Sequence, residues 1–443
     1  MSNTITARRL ITDTGTIEFP VITLAADGTI ADIFSDPVAL APETDTLTAA
    51  FFDIHTHGAM GHDVMHSTTA QLSELQRFLA THGVAHYLPT TVTAPVDATL
   101  RSLEALATLI ESTPRENEAT PIGIHLEGPF LSHAKRGVHP PANLQPPSIE
   151  LFDRFQTAAR GHIKLVTIAP EPNAAYAPTN PGAPGPDSRT RVSEHPQPHG
   201  DAPNLPHSGT TQNPGPPDLS HLEIGASTES KSSAIDLIHH ASSRGVKISI
   251  GHSNATATEA LTAIDAGATA ATHAFNAMRS LDHREPGILG IVLDDNRLFA
   301  ELICDGIHVA PPLVRLWLKA KGLDRAILVT DAMSAAGMPD GAYTLGEFAV
   351  AVANGRALLA EDLAEGKETL AGSVLTMDKA VANLQIFTKS SIADATRLAS
   401  HNPAAMLGKP ELTRLSPGSP ANLNRFNASG HLTATYIRGK KIN

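Results

Sequence analysis

The chain reads as a (β/α)8 barrel with a small β-sandwich domain formed by its N- and C-terminal segments. Three observations carry that reading. Eight short apolar runs end near residues 55, 92, 127, 169, 251, 273, 304 and 331, with stretches of helical spacing among them. Such runs suit strands buried on both faces, and strand–helix alternation favours a parallel sheet. Five of the runs lead into residues able to bind metal or move a proton: His55 and His57, Glu127, His252, His273, and Asp331. In a closed parallel barrel the strand C-termini meet at one rim, so residues as distant in sequence as His55 and Asp331 would share a site. Finally, residues 1–50 and the last thirty residues show strand-like patterns with no helical period.

Taken in order, Thr4–Ile11, Thr16–Leu24 and Ile30–Phe34 read as strands, the last after an Asp27-Gly28 turn. The run Phe51-Phe52-Asp53-Ile54 opens the barrel. Ser67–Thr81 has helical spacing in Leu72, Leu75, Phe78 and Leu79. Strand His86–Val92, helix Ala98–Ile110 and strand Ile122–Glu127 follow. After a long loop come a helix at Ile149–Ala159 and a strand at Ile163–Ala169. Further units are helix 230–244, strand 247–251, helix 256–266, strands 268–273 and 299–304, helix 312–321 and strand 326–331. Tyr343–Leu359 alternates as a hairpin about Asn354-Gly355, a sequence suited to a tight turn. Helices near 373–386 and 392–406 precede a return to strand at Leu432–Ile437. These divisions give a barrel at 51–408 and a small β domain from 1–50 and 409–443. Residues 172–221 hold twelve of the 33 prolines and few large apolar residues. Such a segment buries too little surface to offset its ordering entropy, so it reads as a disordered insertion on the rim.

Composition narrows the function. The 443 residues are 41% hydrophobic but only 4% aromatic, so Ala, Leu, Ile and Val fill the core. A formal charge of −12 argues against nucleic-acid binding and against docking on anionic membranes. The single cysteine, Cys304, allows no intrachain disulfide, and no run of 18 apolar residues occurs. The chain is expected to be cytoplasmic.

The strand-end residues suggest chemistry. In His55-Thr56-His57 the two imidazoles fall on one side of a strand and can reach one ion. Glu127 can bind or bridge divalent ions. His252 and His273 close successive strands. This donor set suits zinc best, with iron, cobalt, manganese, nickel or cadmium as alternatives. His125, two before Glu127, is read as facing the barrel interior and not as a ligand. Asp331 suits a proton shuttle for metal-assisted hydrolysis. His308, in Asp305-Gly306-Ile307-His308, can donate to a carbonyl oxygen as it gains charge. Asn276, the backbone at Ala277, and Arg284 can form a phosphate clamp.

Together these segments resemble the N-acetylglucosamine-6-phosphate deacetylase family of the amidohydrolase superfamily, from about residue 50 to about 408. The strings are Asp53-Ile54-His55-Thr56-His57-Gly58, His125-Leu126-Glu127-Gly128-Pro129-Phe130, Gly251-His252-Ser253, Thr272-His273-Ala274-Phe275-Asn276-Ala277-Met278, Asp305-Gly306-Ile307-His308, Leu328-Val329-Thr330-Asp331-Ala332 and Leu370-Ala371-Gly372-Ser373. The resemblance implies Glu127, His252 and His273 on a principal metal. His55 and His57 would hold a second, with Glu127 shared, giving one or two ions per subunit. It implies Asp331 as the catalytic acid/base and His308 as the group that orients the acetamide. Sugar and acetyl contacts fall to Val138, His139, Asp305, Leu370, Ala371 and Gly372. Phosphate contacts fall to Asn276, Ala277 and Arg284, the last reaching a neighbouring site, which implies a homodimer. The chain departs from the family pattern at Ala50, at the 172–221 insertion and at Asn422.

The implied reaction converts N-acetylglucosamine 6-phosphate to glucosamine 6-phosphate and acetate. Alternatives are a deacetylase of the galactosamine epimer, another amidohydrolase such as a cyclic-amide hydrolase, or a non-catalytic sugar-phosphate-binding regulator.

Overall fold

Eight parallel strands form the centre of the protein. They are β1 (Phe51–Thr56), β2 (Val84–Thr91), β3 (Ile124–Glu127), β4 (Ile163–Ile168), β5 (Lys247–Ile250), β6 (Ala268–Ala271), β7 (Phe299–Ile303) and β8 (Ala326–Val329). Each pairs with the next in sequence from β1 to β8. The computed structural model describes residues 4–38, 45–113, 115–172 and 233–443. The predicted insertion at 172–221 lies, from residue 173 onward, outside them, as does the start of the predicted helix 230–244.

Strands β1, β2, β3 and β8 are buried along their whole lengths, as continuous apolar runs require in a barrel covered by helices. The covering helices are α1 (Thr69–Thr81), α2 (Val96–Glu111), α3 (Ile149–Ala158), α4 (Ala234–Ser243), α5 (Ala257–Asp265), α6 (Gly287–Asp294), α7 (Pro311–Arg325) and α8 (Met377–Thr388). Helix α1 buries Leu72, Leu75 and Leu79, the stripe expected from their spacing. Reciprocal capping boxes start α1 at Thr68 and Gln71, and α5 at Thr256 and Glu259.

Helix α6 is absent from the sequence reading. Its Ile288, Leu289, Ile291, Val292 and Leu293 form a run without polar alternation, so period does not reveal it. The predicted helix 392–406 is three pieces, with a π-helical turn at Arg397–His401 between Ile392–Thr396 and Asn402–Met406. The Asn402 N–H reaches back to the Arg397 carbonyl. Pro403, next in line, has no N–H to continue the ladder.

The chain ends supply two more sheets. A six-stranded sheet runs Lys440–Lys441, Leu432–Ile437, Leu423–Phe426, Thr46–Ala49, Arg9–Ile11, Thr16–Glu18. A three-stranded sheet holds Thr4–Thr6, Pro20–Leu24 and Ile30–Ser35. Leu10, Leu47 and Leu423 of the first share a buried cluster with Ile22 and Ile30 of the second, which is sandwich packing. The single strands expected at Thr4–Ile11 and Thr16–Leu24 are each two strands, one per sheet. The second breaks at Phe19, whose φ of 51° is incompatible with a continuous strand. Asn422, where the family pattern often carries Asp, lies 3.4 Å through Nδ2 from His86 Nε2. Burial pushes His86 down to about 4, and an amide donor suits that neutral ring.

The barrel closes between β8 and β1 mainly through hydrogen bonds just beyond the strands. Asp331 N–H donates to the His55 carbonyl (2.9 Å), and His57 N–H donates to the Ala332 carbonyl (2.7 Å). Asp53, fully buried on β1, reinforces the seam. Its Oδ2 accepts from Thr330 Oγ1 (2.6 Å), and its Oδ1 accepts from the backbone N–H groups of Thr330 and His55 (3.3 Å each). Asp53→Ala strands these buried donors and is expected to cost about 3 kcal/mol, against about 1 kcal/mol for Asp53→Asn, which keeps an acceptor. Urea unfolding midpoints check this. Coincident midpoints for wild type and Asp53→Ala would show that the seam does not depend on this carboxylate.

Candidate functional site: a metal-ligand cluster on the barrel rim

The strand-end residues do come together. His55 lies on β1 with His57 just beyond it, Glu127 ends β3, and His252, His273 and Asp331 follow β5, β6 and β8. His252, His273 and Asp331 have φ of 46°, 28° and 49°. Side chains other than glycine rarely adopt this left-handed region, and such strain is stored where a site needs it. Here it turns each side chain off the strand and across the mouth of the barrel.

Glu127 sits between two lobes. Its Oε1 is 3.2 Å from both His252 Nε2 and His273 Nε2, and these two nitrogens are 3.0 Å apart. Its Oε2 is 3.3 Å from His57 Nε2 and 3.5 Å from His55 Nε2. Asp331 Oδ1 faces the second lobe, 3.1 Å from His57 Nε2 and 3.6 Å from His55 Nε2. The rings are set from behind. His57 Nδ1 donates to the Thr90 carbonyl (2.9 Å), and His252 Nδ1 to the Lys135 carbonyl (3.0 Å). His55 Nδ1 faces Glu301 Oε2 at 3.1 Å. A ring with its proton on Nδ1 turns the Nε2 lone pair inward, the form a metal takes.

The electrostatics call for a cation. Burial disfavours the imidazolium of His57, but hydrogen bonds to Asp331 and Glu127 outweigh it and raise the ring to about 9. His55 is raised as well: burial opposes its charge, and Glu127 and Asp331 overcome that. Burial would push the Asp331 carboxyl up, yet His55 and His57 hold it well below the usual carboxylate range. Buried His55 Nε2 has no hydrogen-bond partner. Converging imidazole lone pairs, a shared carboxylate and an orphaned ring nitrogen fit a divalent metal centre.

His125 is not part of the donor set. Its Nδ1 bonds the Ile54 carbonyl (3.2 Å) and its Nε2 meets Thr167 Oγ1 (2.8 Å), so neither nitrogen is free. His139 comes closer than a sugar contact needs, with Nε2 3.7 Å from Glu127 Oε2. Its Nδ1 accepts from the Thr93 N–H (3.3 Å). The same Nδ1 lies 2.8 Å from Thr93 Oγ1, and His139 stands with Glu127 and His252 in a group of side chains placed to hold a metal ion.

The cluster floors a cavity of about 320 Å³, whose walls include Val138, His139, Asn276, Ala277, His308, Leu370 and Gly372. His308 is braced by Asp305, whose Oδ2 is 2.6 Å from His308 Nδ1. Ala371 is fully buried and holds its loop by donating to the Ala357 carbonyl. Arg284 is exposed and outside the cavity of its own chain. The sequence reading missed Lys135, Leu345 and Thr369 on the walls. It also missed Gly137, where an added Cβ would lie 3.1 Å from His252 Cε1. Glu301 was missed too, although it left a signal, a charge in the otherwise apolar run Phe299-Ala300-Glu301-Leu302-Ile303.

No family model matches the chain. Among curated proteins it is 31% identical to N-acetylgalactosamine-6-phosphate deacetylase of Escherichia coli, over 99% of each chain. It is 30% identical to N-acetylglucosamine-6-phosphate deacetylase of Vibrio furnissii, over 95% of this chain and 90% of the relative. The same-named enzyme of Bacillus subtilis is 31% identical over 83% and 77%. A solved structure of a variant N-acetyl-D-glucosamine-6-phosphate deacetylase from Mycobacterium smegmatis, in complex with N-acetyl-D-glucosamine-6-phosphate, superposes with a TM-score of 0.79. It is 28% identical and covers 99% of this chain and 98% of that one. The Thermotoga maritima enzyme gives 0.76 at 27% identity, covering 99% of each. Near-full-length likeness in sequence and fold leads to one conclusion: this chain is a member of the N-acetylglucosamine-6-phosphate deacetylase family of hydrolases.

Proposed function

We propose that the chain hydrolyses the acetamide of N-acetyl-D-glucosamine 6-phosphate to D-glucosamine 6-phosphate and acetate, as a step in amino sugar metabolism. The observation that carries the reading is the convergence of Asp331, Glu127, His57, His252 and His273 on the floor of one cavity, with His55 buried directly beneath it. Glu127, His252 and His273 would hold a principal divalent ion, and His55 and His57, sharing Glu127, a second. Zinc suits this donor set best, with iron, cobalt, manganese, nickel or cadmium as alternatives. When bound, such an ion supplies Lewis-acid polarisation and makes water easier to deprotonate.

The chain's own groups do the rest. Asp331 accepts a proton from water as its oxygen attacks the acetyl carbon. It then delivers that proton to the departing nitrogen. His308, braced by Asp305, turns its other ring nitrogen to the cavity and, when that nitrogen is protonated, donates to the acetamide oxygen as it gains charge. The backbone near Val138 and His139 meets the sugar. Asn276 and the backbone at Ala277 receive the phosphate end. Arg284, exposed and outside its own cavity, is free to enter a second subunit's site, which supports a homodimer.

The relative named for the galactosamine epimer, matched over 99% of each chain, supports a second reading. Acetate release from both epimers distinguishes the two. Among the described residues no helix is long and apolar enough to cross a membrane. We place the enzyme in the cytoplasm because its one cysteine, Cys304, is buried and free.

Asp331→Asn should keep its metal and bind substrate but lose turnover by about 10²–10⁴-fold. Turnover close to wild type would remove Asp331 from the proton path. Arg284→Ala should raise KM for the phosphorylated sugar by about 10–100-fold, the worth of a charged hydrogen bond. If unphosphorylated N-acetylglucosamine is weakened equally, Arg284 does not anchor phosphate.

A further inference from the structure

Glu301 is fully buried on β7. Its Oε2 lies 3.1 Å from His55 Nδ1 and accepts the backbone N–H of His273 at 3.3 Å. Its Oε1 has no partner. No lysine or arginine pairs with it among the described residues, where His55 is its sole ion-pair partner. An unpaired carboxylate in such a place is costly. The counter-charge available to Glu301 is whatever His55 carries, on the ring or at its inward Nε2.

His55 is also unlike its companions. His57 and His252 are braced by neutral carbonyls of Thr90 and Lys135, whereas His55 has a carboxylate behind it. A carboxylate fixes the ring with its proton on Nδ1 and makes Nε2 a stronger donor than a carbonyl does.

We propose that Glu301 is a positioning residue that makes the His55–His57 lobe a tight second metal site, so that this chain works with two ions and not one. The inference rests on the metal-centre reading above. Glu301 touches neither substrate nor cavity. It acts through the His55 ring, while its bond to the His273 main chain couples the same carboxylate to the edge of the principal lobe.

The test is zinc content per chain, by mass spectrometry after equilibrium dialysis in zinc buffers, for wild type, Glu301→Leu and Glu301→Gln. Wild type should retain two ions. Glu301→Leu should retain one, its second site weakened by about 10–100-fold, the range for loss of such an outer partner. Glu301→Gln keeps an acceptor oxygen and removes only the charge. It should fold normally and fall between the two, with first-site affinity unchanged. Cobalt substitution, read by visible absorption, should report loss of one of two environments in the Leu variant. If Glu301→Leu does not fold, Glu301→Gln decides. Two ions held in the variants as tightly as in wild type would overturn the role of Glu301 and leave the metal centre standing. One ion in wild type would overturn the inference alone. No zinc in wild type would overturn the metal-centre reading as well.

Discussion

A buried carboxyl group must be answered by hydrogen bonds, as at Asp53, or by positive charge within a few ångströms. Glu127, Asp331 and Glu301 are all buried, and their ion-pair partners among the described residues are histidines alone. That constraint organises the rim. Histidines turn their Nε2 atoms toward Glu127 and Asp331, and the carbonyls behind His57 and His252 and the Glu301 carboxylate behind His55 fix which nitrogen faces in. Without a cation the cluster must borrow protons, as the raised basicity of His55 and His57 reflects. With divalent ions the same rings become ligands.

The fold meets the constraint by geometry. Parallel strands deliver side chains from separate stretches of the chain to one face. Left-handed backbone at His252, His273 and Asp331 then turns them inward. The seam between β1 and β8 matters for the same reason: it aligns His55 and His57 with Asp331, and Asp53 and Thr330 tie it from within the barrel. Stability and chemistry meet in one short stretch, since Asp53 and His57 are separated by two turns of the strand alternation.

Much of this was legible in the sequence. Apolar runs ending in His, Glu or Asp marked the strands and the floor of the site, because burial on both faces and the strand end each leave a local signature. Features that depend on distant partners left weaker marks. The sheet switch at Phe19 turns on a backbone angle that a strand-like pattern does not encode. Helix α6 is apolar on nearly all sides, so its period is hidden. His139 is brought beside Glu127 and His252 by a long loop, so its place next to the metal-ligand cluster appears only in the fold. Glu301 left a signal as a charge inside an apolar strand, but its partner, His55, is 246 residues away in sequence and meets it only because β8 closes on β1. The substrate is written in loops beyond the strand ends, where spacing carries little information and family likeness carries more.

The central claim is that the rim cluster holds the metal on which amide hydrolysis depends. Acetate release from N-acetylglucosamine 6-phosphate tests it most directly, measured on the purified enzyme, after exhaustive chelation, and after zinc is restored. The account predicts loss of turnover with chelation and recovery with zinc, while the fold persists by circular dichroism. Undiminished acetate release from folded protein shown to be free of metal would contradict it.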